Sequence, residues 1–113
     1  MDYKPVKTVE KPWGKEKWLC VEDEYAGKIL EIKKGHRTSM QYHKKKKESM
    51  YVLSGTLRIE TRKGESIVKK GETVTLNPGD KHRLCADEDV ILIEVSTPEL
   101  DDVVREEDDY GRK

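Results

Sequence analysis

The sequence contains no phenylalanine and only 6% aromatic residues, and apolar residues of every kind make up 34% of its 113 positions. A chain this short and this polar supports one modest core rather than several. No apolar run approaches the ~18 residues that a membrane-spanning helix needs, and Met1 to Val9 lacks a basic-then-apolar leader pattern. Net charge is absent as well, because 23 basic residues balance 23 acidic ones. That balance argues against a general binder of nucleic acid or of anionic membrane. Neither is expected as a partner, and a soluble cytoplasmic protein is expected. Cysteine is scarce. Cys20 and Cys85 each fall in a strand-like run, and in a cytoplasmic chain they read as free thiols.

Helical periodicity is almost missing, and short β-rich runs take its place. Met1 to Pro12 is polar, carries two prolines and reads as an extended arm or edge strand. Trp13-Gly14 reads as a turn with an aromatic anchor, followed by strands over Lys17 to Val21 and Lys28 to Lys33. In the second of these, Leu30 and Ile32 share one face, opposite Ile29 and Glu31. Lys34-Gly35, Lys63-Gly64 and Lys70-Gly71 punctuate further runs at Glu48 to Leu53, Thr56 to Arg62, Glu65 to Lys69 and Glu72 to Leu76. Ser54-Gly55 reads as a tight hairpin between the first two of these. Val90 to Val95 is the most apolar run and is expected to be a central strand. Only the acidic tail from Pro98 to Lys113 could hold a helical turn. Short, evenly spaced strands with glycine-marked turns imply an all-β antiparallel sandwich or barrel.

The stretch from Gly35 to Gly55 gathers groups able to ligate a metal. Gln41 and His43 are two apart, so on a strand they point to one face. Lys44 to Lys47 is expected to turn the chain, and Glu48 then opens a returning strand that can face them. His82, after the Asn77-Pro78-Gly79 turn, is the fourth candidate. Two histidines, a glutamine and a glutamate make a mixed N/O site suited to one divalent ion (Zn, Mn, Fe, Co or Ni) with open positions.

The spacing of this stretch resembles the first motif of the cupin superfamily: Gly35, five residues, Gln41-x-His43, four residues, Glu48, six residues, Gly55. Gly71, Asn77-Pro78-Gly79 and His82 approximate the second motif, with its proline displaced by one and Ala86 where the motif ends in Asn. The resemblance implies a single-domain cupin jelly roll (a double-stranded β-helix barrel) with a short N-terminal arm, 1–12, and a C-terminal tail, 98–113. A closer resemblance, over nearly the whole chain, is to the type II mannose-6-phosphate isomerase family, also found as the C-terminal domain of mannose-1-phosphate guanylyltransferases. It is carried by Glu10-Lys11-Pro12-Trp13-Gly14, Ser39-Met40-Gln41-Tyr42-His43, Ser54-Gly55-Thr56, His82-Arg83-Leu84, Ile93-Glu94-Val95 and the tail Arg105-x-x-Asp108-x-Tyr110-Gly111-Arg112. Lys46 stands where the family usually has Arg, Ser49-Met50 replaces a usual His-Trp pair after the ligand glutamate, and Ser96 replaces a usual Gln. No guanylyltransferase domain accompanies these motifs, so nucleotide-sugar synthesis is not expected.

The family resemblance implies a metal-dependent sugar-phosphate isomerase acting on a small phosphorylated sugar, mannose 6-phosphate to fructose 6-phosphate. That chemistry needs a Lewis acid, a base beside the carbon acid and a clamp on the phosphate. Lys46, Arg83 and Arg105 are the candidate clamps. The base is open between Lys46, Tyr51 and a metal-bound hydroxide; Tyr51 is out of phase with Glu48. Trp13 and Trp18 read as core or interface anchors before sugar stackers. The alternative function is a non-catalytic, metal-containing cupin that binds a sugar or small anion. A homodimer is expected, since small jelly rolls leave sheet edges open.

Overall fold

The computed structural model describes residues 1–113 and contains eleven strands and no helix. No helix is long and apolar enough to cross a membrane. A six-stranded antiparallel sheet has the order β1(Lys7–Lys11), β2(Gly14–Val21), β3(Ala26–Ile32), β10(Val90–Ser96), β5(Glu48–Ser54), β8(Thr73–Leu76). A five-stranded sheet packs on it in the order β11(Val104–Glu107), β4(Met40–Tyr42), β9(His82–Ala86), β6(Leu57–Thr61), β7(Gly64–Val68). From β3 onward the chain passes back and forth between the sheets, with only β6 and β7 staying together, which winds them into a jelly roll.

Alternation of inward and outward side chains builds the core. On β3, Lys28, Leu30 and Ile32 are buried while Ile29 and Glu31 are half-exposed, as the sequence pattern requires. The central strand β10 pairs Val90 with Ile32, Leu92 with Leu30 and Glu94 with Lys28. These cross-strand rows divide the barrel. Its lower end is apolar, built on Leu30, Ile32, Val52, Leu57, Ile59 and Leu92. At its upper end the inward positions of the same strands become Lys28, Glu94 and Glu48.

Two expectations are corrected. Ser54-Gly55 is not a hairpin, because β5 and β6 lie in different sheets; the pair carries the chain across the barrel. Gly55 has φ +79° there, and a Cβ on it would meet the Asp89 carbonyl oxygen at 2.3 Å, so both backbone and space require glycine. The tail holds no helical turn. It forms β11, paired with β4, because its alternation buries one side of a strand against the barrel. The N-terminal stretch is an edge strand, one of the two forms its sequence allows: Lys7–Lys11 pairs with β2. Cys20 and Cys85 are free thiols on β2 and β9.

Leu92 is fully buried at the centre of the apolar layer. Leu92→Ala is expected to lower unfolding stability by about 2–5 kcal/mol, through lost burial and the cavity left behind. Denaturant titration checks this; a loss below ~1 kcal/mol would show that the core does not depend on this layer.

Candidate functional site

At its upper end the barrel encloses a cavity of about 580 Å³, walled by β1 to β5, β9 to β11 and the tail. Gln41, His43, Lys46, Glu48, Glu94 and Arg105 all face it. Beside the cavity, His43, Glu48 and His82 bring their ligand atoms within 4.8 Å of one another. The two imidazoles come from the ends of β4 and β9 on one sheet, and Glu48 starts β5 on the other. The lysine turn between His43 and Glu48 makes this crossing, as expected from the sequence.

The two rings are held alike. His43 Nδ1 lies 2.5 Å from the Asp102 carbonyl oxygen, and His82 Nδ1 lies 2.8 Å from that of Asp80. A carbonyl oxygen only accepts, so each Nδ1 carries a proton and donates it. Each neutral ring is thereby left with a lone pair on Nε2. Both Nε2 atoms are buried with no hydrogen-bond partner. They sit 3.4 and 3.7 Å from Glu48 Oε1, with His43 the nearer. Orphaned buried nitrogens facing a carboxylate are costly unless a cation joins them, so this donor set fits a divalent metal ion.

Gln41 pairs directly with His82 across the strands and lines the same cavity. Its Oε1 accepts a hydrogen bond from Ser39 Oγ at 2.6 Å. Arg105 pairs with Gln41 on the other side. His82, Gln41 and Arg105 therefore form one row across β9, β4 and β11. Arg105 makes no ion pair, and its Nε is buried without a partner. Arg112 also lines the cavity but is held by three hydrogen bonds to Asp108.

The structure separates the other sequence candidates. Lys46 is buried, not solvated: its Nζ lies 2.9 Å from Glu48 Oε2 and 3.2 Å from Glu94 Oε2. Tyr51 is on the outer face of β5, 39% exposed, and does not reach the cavity. Arg83 also points away from the cavity, since it follows inward-facing His82 on a strand; it donates to the carbonyls of Thr38 and Glu107 and ties the tail to the barrel. Ser49 is not beside the cluster either, because its hydroxyl bonds Thr75 on the outer face, while Met50 is fully buried in the core. Trp13 and Trp18 both line the cavity as well as packing the barrel wall. Trp18 stacks beneath Lys7 and Lys28 and donates to Glu16.

One site residue was missed in the sequence. Glu94 is buried on β10 and faces the cavity beside Lys46. Burial, then the charge of Glu48, push its carboxyl up to about 7, against the pull of Lys46 and Lys28. Its position in phase with inward-facing Val90 and Leu92 was the available signal.

Charge in the cluster is unevenly distributed. Burial works to raise Glu48, but the facing His43 imidazole and the charge of Lys46 hold it well below the usual carboxylate range. Burial lowers His82. It also opposes charge on His43, yet Glu48 and the Asp102 carbonyl outweigh it and His43 is raised. Below its raised pKa, His43 binds a proton at the lone pair a metal needs. Metal affinity is therefore expected to be level at higher pH and to fall by about tenfold per pH unit below that pKa, as one proton is displaced. Competition against a metal-binding dye across pH reads this, and a pH-independent affinity would count against His43 as a ligand.

The sequence family described as mannose-6-phosphate isomerase C-terminal matches residues 2–109. Mannose-1-phosphate guanylyltransferase ManC of Salmonella typhimurium is 33% identical over 94% of this chain, and mannose-1-phosphate guanylyltransferase of Escherichia coli 32% identical over the same share. The chain spans 23% of the length of each of these relatives. An RmlC-like cupin from Shewanella frigidimarina superposes with a TM-score of 0.74, covering 84% of this chain and 86% of that one at 17% identity. Ectoine synthase from P. lautus superposes at 0.76, covering 89% and 81% at 18% identity. These likenesses below a quarter identity carry the cupin fold, whereas the match along nearly the whole sequence carries the family: the chain belongs to the mannose-6-phosphate isomerase C-terminal family, as a cupin domain related to the C-terminal region of mannose-1-phosphate guanylyltransferases.

Proposed function

We propose that the chain is a metal-dependent isomerase of a small sugar phosphate, with mannose 6-phosphate and fructose 6-phosphate as the pair. The observation that carries this reading is the paired buried Nε2 atoms of His43 and His82 facing Glu48. His82 shares a cross-strand row, through Gln41, with Arg105, an arginine with no acidic partner. In this reading His43, Glu48 and His82 hold a divalent ion, Zn, Mn, Fe, Co or Ni, with Gln41 as fourth ligand. The ion would supply a Lewis acid for the carbonyl and adjacent hydroxyl of the open-chain sugar. Arg105 offers its guanidinium to the phosphate, and its planar fork can hold two oxygens at once. Lys46 keeps Glu48 in place through Oε2, so the positive charge first assigned to the phosphate belongs to the ligand's own ion pair.

The second reading is a cupin that holds metal and sugar without turning it over. It is favoured by the positions of Tyr51 and Lys46, the two named bases: one lies outside the barrel and the other is bound between two carboxylates. A coupled assay separates the readings. Metal-loaded protein is expected to convert mannose 6-phosphate, to lose activity with chelator, and to lose both metal and activity in His43→Ala. In the same assay Arg105→Ala is expected to raise KM about tenfold or more, the loss of one charge-assisted contact of about 1.5–3 kcal/mol. Metal-loaded protein with no turnover on any hexose phosphate would leave the binding reading.

We also infer a homodimer. The outer face of the six-stranded sheet carries an apolar patch despite the polar composition: Ile93 pairs with Ile29 and Tyr51, and Tyr51, Leu53 and Val95 are exposed around them. A second copy presenting the same face would cover it. Sedimentation at micromolar concentration is expected to give twice the chain mass, reduced to one in Val95→Lys; a monomeric wild type would remove this assignment.

A further inference from the structure

The isomerase reading needs a base, and neither Lys46 nor Tyr51 is placed to serve. The inner face of the six-stranded sheet carries a different group. Across β2, β3, β10 and β5 runs the row Trp18, Lys28, Glu94, Met50. Within it Glu94 is the only carboxylate, and it opens onto the cavity. Its Oε2 lies 3.2 Å from Lys46 Nζ yet has no hydrogen bond of good geometry. The same ammonium lies 2.9 Å from Glu48 Oε2. Glu94 is thus one ammonium removed from the ligand carboxylate: close to the cluster, outside the ligand set, and free to accept.

We propose that Glu94 is the catalytic residue that moves the proton between C1 and C2 of the open-chain sugar phosphate. The inference rests on the isomerase reading. The carboxylate takes the proton from C2, and the C–H electron pair becomes the C1–C2 double bond. The carbonyl pair of C1 moves to O1, which takes the hydroxyl proton of O2. Glu94 then returns its proton to C1 as the O2 electron pair forms the C2 carbonyl, leaving a hydroxymethyl group at C1. Burial supports this role by raising the basicity of the carboxylate toward neutrality. Lys46, Lys28 and Glu48 are the charged groups that set its field.

The test compares metal-loaded wild type, Glu94→Gln and Glu94→Asp on mannose 6-phosphate, with metal content and melting temperature measured on each. Glu94→Gln is expected to keep the metal and fold, to change KM little, and to lower kcat by about 10²–10⁴-fold. The Glu94 carboxyl proton exchanges with solvent while the enediol is bound, so in deuterated water the wild type is expected to place deuterium at C1 of the product, and Glu94→Gln to place none. Glu94→Asp restores the charge beside Lys46 but shortens the reach. A merely structural role is rescued by Asp, whereas proton transfer stays impaired by at least tenfold. Glu94→Gln retaining kcat within threefold of an active wild type overturns the proposal and leaves the isomerase reading intact. Full rescue by Asp, after loss of fold or metal in Gln, overturns it too. A wild type that is inactive on every hexose phosphate overturns both.

Discussion

A glutamate with 4% of its surface exposed must be held by cations, and the upper end of this barrel is arranged around that need. Glu48 divides its two oxygens: Oε2 is held by Lys46, and Oε1 faces the two imidazoles. Along the same inner strip, Lys46 also meets Glu94, and Lys28 meets Glu16 at 3.3 Å. Two buried ammoniums, Lys28 and Lys46, match the two buried carboxylates, Glu48 and Glu94. Glu94 is raised by its own burial and by the charge of Glu48, and, against its burial, His43 is raised by Glu48 and the Asp102 carbonyl. A proton on His43 Nε2 and a metal ion at the same lone pair are therefore alternative answers to the charge of Glu48.

The tail is part of this arrangement. Asp102 accepts the backbone N–H groups of Lys44, Lys45 and Lys46 at 3.0, 2.7 and 2.9 Å, which holds its carboxyl down to about 2. Those three bonds shape the turn that separates His43 from Glu48. The carbonyl of the same residue orients the His43 ring. One residue of the tail thus fixes both the turn and a ring on it, and β11 then brings Arg105 to the cavity. Arg83 closes the other end of the strap by donating to Glu107. The acidic tail is a structural wall of the site, tied to the barrel where Glu106 and Glu107 meet Arg62, Glu106 meets Lys81 and Asp109 meets Arg37.

Strands, core and the meeting of His43, Glu48 and His82 were legible because a period of two leaves a strong trace. Gln41, His43 and Glu48 could be placed from spacing alone, and the strand over Val90 to Val95 from its apolar run. What failed was information that local sequence does not hold. Ser54-Gly55 looks the same whether the chain returns in its own sheet or crosses to the other one, and only the packing of Leu57 and Ile59 against the opposite layer decides it. Arg83 and Glu94 are different, since parity could have settled both. Arg83 is adjacent to His82 and so faces away from it, whereas Glu94 is in phase with Val90 and Leu92 and so faces in. An acid in the inward phase of the most apolar strand was the strongest unused signal.

The division of labour between the sheets follows from the same parity. The five-stranded sheet contributes His82, Gln41 and Arg105 in one cross-strand row, and two strand spacings amount to about 9–10 Å. The six-stranded sheet contributes the acids Glu48 and Glu94 from the facing wall. In the isomerase reading, an extended sugar phosphate would lie along the row, its carbonyl end at the imidazoles and its phosphate at Arg105, with Glu94 approaching from the side. Of the two departures, Ser49 is spent on the outer face and leaves this arrangement untouched, whereas Met50 fills the core directly across from Glu94. An apolar, fully buried neighbour there helps to keep that carboxylate out of water, and burial is the first cause of its raised basicity.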